Sequence, residues 1–415
     1  MNQARAFNSA GDQAEDSRPD SVLSYFRENQ FNPVLIGVED PSVWESHFRK
    51  RQNLYEGHLK IPLALLSGRS VLEFGCNSGE NALVLASVGA DLTLVEPNEQ
   101  VQLRLKDLFK TFGLEDRVVE VSTDDIESFE STSLYDVVLA EGFLCQVPNR
   151  DVMLEKICNL LAPGGIGVIS YNDRYGFLLE MTRRMLLWRA CQIKGIDDLH
   201  SEASLDMATD LYSQDFGELN GSRSMEAWWK DNLVNPFITA EHFWSHPELL
   251  TIVESAGCNF FSSSPQWDLS AHFAWYKNVS DTDRWRGNHL SEWSRAFTYL
   301  CTGLRPVGVG QEEAPQEVIT AVGDLVSSVS KYTQDFSISI GKLEYPPVLS
   351  RFFSSLDDPR IATLNEELER VYKVASSGDL DALLSSYHDS IQLRNLWGAC
   401  YHYFCFNKPL GTPTR

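Results

Sequence analysis

Residues 71–85 read VLEFGCNSGENALVL. The run Val71–Phe74 has the length and bulk of a buried strand. Gly75 and Gly79 bracket a tight turn, and a helix begins at once over ENALVLASVG (80–89), closed by Gly89. A strand that passes through a glycine-bearing turn into a helix brings backbone close to a ligand and points free helix N–H groups at it. The spacing Gly75-Cys76-Asn77-Ser78-Gly79 differs from the G-x-G-x-x-G of a dinucleotide site, and an acid, Glu73, stands two positions before the first glycine.

Outward from this turn the chain alternates strands and helices. DLTLVE (91–96) reads as a second strand, and Val101, Leu105, Leu108, Phe109 and Phe112 mark one helix face ending at Gly113. RVVEVS (117–122) and YDVVLA (135–140) read as strands three and four. Leu154, Ile157 and Leu161 mark a helix stopped by Pro163-Gly164-Gly165, and GIGVISY (165–171) is a fifth strand. This alternation predicts a parallel, doubly wound α/β sheet with helices on both faces. Upstream, Trp44, Phe48, Tyr55 and Leu59 recur at helical spacing within 40–66, ended by Gly68. Downstream, 175–245 reads as a helical insertion, far longer than an ordinary loop. PELLTIVESAG (247–257) reads as a returning helix, and NFFSSSPQW (259–267) and AHFAWYKN (271–278) as two closing strands. The expected organisation is a polar, partly disordered segment 1–39, a sheet domain formed by 40–174 and 246–280, a lid over 175–245, and a C-terminal helical region over 281–415. Within that last region Gly378 ends one helix, Asp379 caps the next, and 307–316 is a flexible crossing.

Composition narrows the partners. The 58 acidic side chains against 35 basic give a net charge of −23, which argues against a nucleic-acid backbone or an anionic membrane surface. The eight cysteines form no CxxC pair, so neither a zinc ribbon nor a dithiol redox site is indicated; Cys400 and Cys405, in CYHYFCF, read as buried apolar thiols. The first twenty residues lack the apolar core of a signal peptide, and the expected location is cytoplasmic.

Glu96 closes the second strand 21 residues after Gly75, where a carboxylate can accept from two ribose hydroxyls. With that acid, residues 70–171 resemble the class I S-adenosylmethionine-dependent methyltransferases, of the type that acts on small molecules. The resemblance is carried by the acidic-x-Gly turn, the ribose acid, the Asp after the third strand, the YDVV strand and the LAPGG turn (161–165) into the fifth strand. It implies a Rossmann-like methyltransferase sheet carrying the insertion and the C-terminal helices, with S-adenosylmethionine as cofactor. The backbone at Gly75, Cys76 and Gly79 would hold the methionine part and ribose, with Glu73 organising the turn and Glu96 on the ribose hydroxyls. Asp125, followed by Ile126, would take the adenine amino group, with Asp124 the neighbouring candidate. Ala140, Glu141 and Gly142 would lie beside the sulfonium. Asn77 departs from the family's middle glycine, but Asn tolerates a positive φ.

A methyl acceptor would sit past the ends of strands four and five. Tyr171 and Asp173 are candidate bases there, with Asn172 and Tyr175 beside them, although Asn172-Asp173 also suits a simple turn. Glu141 is a candidate base or faces the cofactor's charge. His242 and His246, four apart, would share a helical face; His242 is the acceptor-side candidate, and no third metal ligand accompanies them. Trp228 and Trp229 line an acceptor pocket or anchor the insertion, Tyr55 and His58 fold over the cofactor, and Arg183 and Arg184 form a solvated helix face unless they pair with a phosphate or carboxylate. The expected reaction is in-line methyl transfer to an oxygen, nitrogen or carbon atom of a small molecule. The alternatives are a protein or peptide methyltransferase that docks its substrate on the C-terminal helices, and a non-catalytic scaffold. The same helices are the expected surface for a homodimer.

Overall fold

The computed structural model describes residues 21–28, 37–217, 219, 224–267, 282–305, 312–335 and 340–411. Five strands run parallel: β1 (Ser70–Phe74), β2 (Asp91–Val95), β3 (Val118–Ser122), β4 (Tyr135–Ala140) and β5 (Leu161–Asn172). Two more, β6 (Asn259–Ser264) and β7 (Tyr401–Asn407), complete the sheet in the order β3-β2-β1-β4-β5-β7-β6. β7 is antiparallel to both its neighbours. The order reverses between β1 and β4, which opens a crevice at their C-terminal ends, the standard ligand position in such sheets.

Helices α1 (Val22–Glu28) and α2 (Pro41–Gln52) lead into the sheet, and α3 (Glu80–Ser87), α4 (Glu99–Thr111) and α5 (Arg150–Leu160) join its strands. α6 (Leu178–Lys194), α7 (Glu202–Gly217) and α8 (Met225–Trp228) form the insertion, and α9 (His246–Ser255) returns to the sheet. The C-terminal region holds α10 (Thr282–Arg295), α11 (Phe297–Thr302), α12 (Gln316–Tyr332), α13 (Pro347–Ser355), α14 (Pro359–Ala375), α15 (Leu380–His388) and α16 (Ile391–Asn395). The helix starts are written in the sequence. Asp40 accepts from the N–H groups of Ser42 and Val43, with Pro41 in the first turn of α2. Ser245 and Glu248 form a capping box on α9. Asp379 caps α15 as expected, accepting from Ala382 N at 3.0 Å.

Strand alternation sends side chains to two cores. Val71, Leu92, Leu94, Val137, Leu139, Val168 and Cys405 pack under α3 and α4. Leu72, Phe74, Val138, Ile169, Tyr171, Phe404 and Phe406 pack under α5 and α9. A third core is shared by the insertion and the C-terminal helices, where Met185, Leu211, Leu233, Val322 and Leu368 are buried together. Among the described residues no helix is long and apolar enough to cross a membrane.

The structure departs from the sequence reading in three places. The helical stretch expected over 40–66 is broken after Gln52 by a π-helical turn, Asn53–His58, and resumes only as the short 3₁₀ turn Leu63–Leu66. The fifth strand begins at Leu161, because Pro163 ends α5 and the chain passes through left-handed Gly164 (φ +83°) into β5. The second closing strand, expected at 271–278, lies outside the described residues; the place beside β5 is taken by β7, from a region read as helical. Six consecutive aromatic or thiol side chains, Tyr401–Phe406, fit a pleated surface better than a helix, and β7 alternates Tyr403 and Cys405 against His402, Phe404 and Phe406 between the two cores. The segments 1–20, 29–36 and 306–311, parts of the expected tail and crossing, also lie outside the described residues.

Phe404 is fully buried between β5, β6 and α9. Phe404→Ala should therefore cost about 3–5 kcal/mol of stability. Urea denaturation checks this; a loss below about 1 kcal/mol would show that β7 is not an internal strand.

Candidate functional site

Three residues of the turn after β1 are left-handed: Gly75 (φ +66°), Asn77 (φ +52°) and Gly79 (φ +89°). A Cβ on Gly75 would lie 2.7 Å from the Phe143 ring, so glycine is required there for both conformation and space. Asn77 is held in its positive φ by a local bond: its Oδ1 accepts from Ser78 N at 2.8 Å. Its own N–H donates to Glu96 Oε2 at 2.7 Å, while Asn98 N donates to Glu96 Oε1 at 2.8 Å. One buried carboxylate thus ties the turn after β1 to the turn after β2. Burial raises the Glu96 pKa, and the two backbone donors work against that rise. Each oxygen keeps a lone pair for a further donor.

Beneath the turn sits a second group of charges. Glu141, just past β4, is gripped by Arg51 of α2 through Nη1···Oε2 (2.8 Å) and Nη2···Oε1 (2.6 Å). Tyr55 Oη at 3.3 Å and Tyr403 Oη at 3.2 Å also donate to it. Burial works to raise the Glu141 pKa, but the Arg51 charge and these hydrogen bonds hold it below the ordinary value, so it is ionised at neutral pH. Glu73 is 3% exposed and its Oε2 has no hydrogen-bond partner. Burial first, then the neighbouring Glu141 charge, pushes its pKa up to about 8 against the pull of Arg51. Cys76 is buried beside it, and burial pushes its thiol up as well.

The other residues expected on the cofactor side lie at the ends of β3 and β4. Ala140 ends β4, fully buried and paired with Phe74 and Ile169. Gly142 (φ +85°) donates to Ser170 Oγ at 2.7 Å. Past β3, Asp124 accepts from Ser122 Oγ (2.7 Å) and exposed Asp125 accepts from Ser128 N (2.7 Å), with Ile126 buried behind them. The Ser128 hydrogen bonds lower the Asp125 pKa.

At the end of β5, Tyr171 Oη lies 2.9 Å from His402 Nδ1, which lies 3.8 Å from Asp173 Oδ2. Asp173 Oδ1 accepts from the N–H groups of Tyr175 (3.0 Å) and Gly176 (2.9 Å), so turn chemistry accounts for one of its oxygens. The other oxygen is buried without a hydrogen-bond partner, and burial lifts the Asp173 pKa to about 7. Burial drives His402 down to about 3, leaving it neutral. His242 ends a short 3₁₀ turn, half-buried, with Nδ1 3.2 Å from Phe237 O; burial lowers its pKa.

Several expectations are corrected. His242 and His246 do not share a helical face, because the Ser245 cap separates them; His246 Nε2 instead lies 2.7 Å from His289 Nε2. Among the described residues no cluster of three or more His, Cys, Asp or Glu is arranged to hold a metal. His58 pairs with Ser264 Oγ on β6 (3.0 Å) rather than reaching over the turn, and Tyr55 reaches Glu141. Arg183 and Arg184 are not solvated: both are fully buried, because α6 is enclosed by α7, α12 and α15. Trp228 packs on Phe216 and donates to Glu180 Oε2 at 3.3 Å. The sequence reading missed Arg51 and Tyr403. Arg51 and Tyr55, four apart on one helical face, were its local signal; Tyr403 becomes visible only once CYHYFCF is taken as a strand.

Residues 46–260 match a family model described as a methyltransferase domain, a little over half of the chain. The chain belongs to this methyltransferase family. It is 33% identical over 162 residues to a sterol 4-C-methyltransferase of Caenorhabditis elegans, covering 37% of this chain and 47% of that protein. It is 29% identical over 164 residues to a ubiquinone biosynthesis O-methyltransferase of Bordetella avium, covering 38% and 65%. The chain therefore spans about half to two thirds of the length of these curated relatives. Among solved structures, the N-methyltransferase NodS of Bradyrhizobium japonicum, in complex with S-adenosyl-L-homocysteine, aligns at 21% identity and a TM-score of 0.28, over 36% of this chain and 72% of that one.

Glu73 yields a pH prediction for the methyltransferase chain free of ligand. Its folded pKa, about 8, stands above its ordinary 4.5. The folded chain keeps a proton that the unfolded chain releases, so this group's contribution is fully present below about pH 4.5 and is lost as pH rises through about 8. Between pH 5 and 8 wild-type stability should fall relative to Glu73→Gln. Urea denaturation at both pH values measures the difference; parallel curves would contradict the assignment.

Proposed function

We propose that this chain is an S-adenosylmethionine-dependent methyltransferase that methylates an oxygen, nitrogen or carbon atom of a small-molecule acceptor. The observation that carries the reading is the pair of buried carboxyls at the crevice. Glu96 offers one free lone pair on each oxygen, and Glu73 carries a buried oxygen without a partner. Such acceptors suit a ligand that brings an ammonium group and vicinal hydroxyls, so the residues present fit the cofactor. When bound, S-adenosylmethionine supplies a methyl group made electrophilic by a positively charged sulfur.

The chain's own residues do the rest. Glu96 and the backbone at Gly75, Cys76 and Gly79 hold the ribose and methionine ends. Asp125, with Asp124 beside it, takes the adenine amino group next to Ile126. The backbone at Ala140, Glu141 and Gly142 borders the reacting end. Glu141 acts by positioning, since its oxygens are committed to Arg51, Tyr55 and Tyr403. Where the acceptor must lose a proton, Asp173 is the base: a pKa near 7 suits general-base work at neutral pH, and Tyr171 and His402 fix its surroundings. His242 closes the acceptor side from the insertion. The C-terminal helices share the insertion's core and so support the lid against the sheet, excluding water from the acceptor.

Isothermal titration with S-adenosylmethionine and S-adenosylhomocysteine tests this. Wild type should bind both, and Glu96→Ala should lose at least about tenfold in affinity, since hydrogen bonds to a charged group contribute roughly 1.5–3 kcal/mol each. Absent binding, or unchanged affinity in a Glu96→Ala variant that still melts cooperatively, would overturn the proposal.

A further inference from the structure

Arg184 of α6 is 1% exposed, and among the described residues no carboxylate lies within ion-pair distance of it. Its Nε donates to Thr333 Oγ1 at 3.1 Å and its Nη1 to the Asn232 carbonyl at 2.7 Å, and its guanidinium lies over the Trp188 ring. Nη2 is buried with no partner. Burial pulls the Arg184 pKa down to about 9, which still leaves it charged at neutral pH. The adjacent Arg183 makes the comparison. Its Nη2 donates to the Leu393 and Leu396 carbonyls, both at 2.6 Å, and it stacks on Trp397. Although its Nη1 also lacks a partner, Tyr387 and Glu180 outweigh burial and hold its pKa above the ordinary value. Arg183 is a structural arginine; Arg184 is a buried cation with no carboxylate in ion-pair distance among the described residues, an arrangement that costs the fold stability.

Three more buried donors in this neighbourhood lack acceptors: Asn232 Nδ2, Trp229 Nε1 and Asn172 Nδ2. Hydrogen bonds and strand pairing connect them. Asn232 is the residue whose carbonyl meets Arg184, and its Oδ1 is occupied by Tyr401 Oη. Tyr401 is the strand partner of Asn172 at the C-terminal end of β5. Trp229 and Asn232 share the π-helical turn Trp229–Leu233. The same segment reaches the reacting end of the crevice, because Asn235 Nδ2 donates to Gln146 Oε1 and Gln146 Nε2 donates to Gly142 O. From the other side, α1 places Tyr25 against Arg184 while Arg27 donates to Pro97 O, next to Glu96. Asp231, in the same turn, acts on Tyr25 and not on Arg184, so four buried donors without acceptors, one of them on a cation, are left to select a ligand that offers acceptors.

The geometry points to an anion subsite: Arg184, with Asn232 and Trp229, anchors an anionic oxygen group, a carboxylate or a phosphate, on the methyl acceptor. This rests on the methyltransferase reading for the identity of the ligand as acceptor, but anion binding itself does not depend on it. The guanidinium's planar fork suits either group, and bidentate contact would use the free Nη2.

The test titrates sodium benzoate, inorganic phosphate and neutral benzamide into the full chain, with and without saturating S-adenosylhomocysteine, and reads the melting temperature. Benzoate or phosphate should stabilise wild type in a saturable way and benzamide should not; which anion binds at the lower concentration separates carboxylate from phosphate. Arg184→Gln should weaken the anion's apparent affinity at least tenfold while S-adenosylhomocysteine binds as in wild type. Asn232→Asp replaces the free Nδ2 donor of the subsite with a carboxylate oxygen and should abolish the anion response while the chain stays folded, which keeps the test decisive if Arg184→Gln does not fold. A response that is absent in wild type, equal for benzamide, or unchanged in Asn232→Asp would overturn the subsite. Failure of wild type to bind S-adenosylhomocysteine would instead strike the methyltransferase reading.

Discussion

The site depends on one carboxylate that serves two turns. Glu96 receives N–H groups from Asn77 and Asn98, on loops that follow different strands. Hydrogen bonds to a charged acceptor are among the stronger local interactions, and here they set the left-handed backbone at Asn77 and the start of α4 together. Gly75, wedged against Phe143, and Gly79, packed on Leu105 and Phe109, leave the turn little other shape to take. The turn and the Glu96 carboxylate are thus held in one arrangement by the chain itself, which is what preorganised binding requires.

Around this clasp the chain arranges charges so that one carboxyl is held ionised and its neighbour is held protonated. Arg51, Tyr55 and Tyr403 converge on Glu141 from α2, the π-helical turn and β7, elements far apart in sequence. Glu141 in turn pushes the Glu73 pKa up, because two nearby carboxylates in a buried setting resist sharing charge. A ligand that brings positive charge to Glu73 relieves that conflict. The insertion follows the same logic with the opposite sign: Arg183 is compensated from within the fold, and Arg184 is left for something from outside.

Much of this was legible in the sequence where the physics is local. The turn at Gly75–Gly79, the five parallel strands, the returning helix 247–257 and the Asp379 cap rest on spacing and on short-range hydrogen bonding, and the structure shows each of them. What could not be read depends on contacts between distant segments. β7 joins the sheet across about 230 residues from β5, and an aromatic run inside a helical region carries no sign of its strand partners. Arg51 looked like one basic residue among several in a polar helix, and its role exists only because Glu141 ends β4 opposite it. Arg183 and Arg184 looked solvated because a helix that is buried on every side still carries arginines when carbonyls and aromatic rings receive them. The roles of the acceptor-side residues are beyond the sequence for the same reason: Tyr171, Asp173 and His402 meet through β5–β7 pairing alone.

The central claim is that the Glu96 clasp is a cofactor site. A crystal structure of the full chain with S-adenosylhomocysteine tests it most directly. The account predicts the ribose hydroxyls on the Glu96 oxygens, with the Asn77 and Asn98 N–H bonds to that carboxylate retained and the amino group toward Glu73. A ribose bound elsewhere, or a Glu96 that turns away from the ligand to keep only its backbone partners, would contradict it.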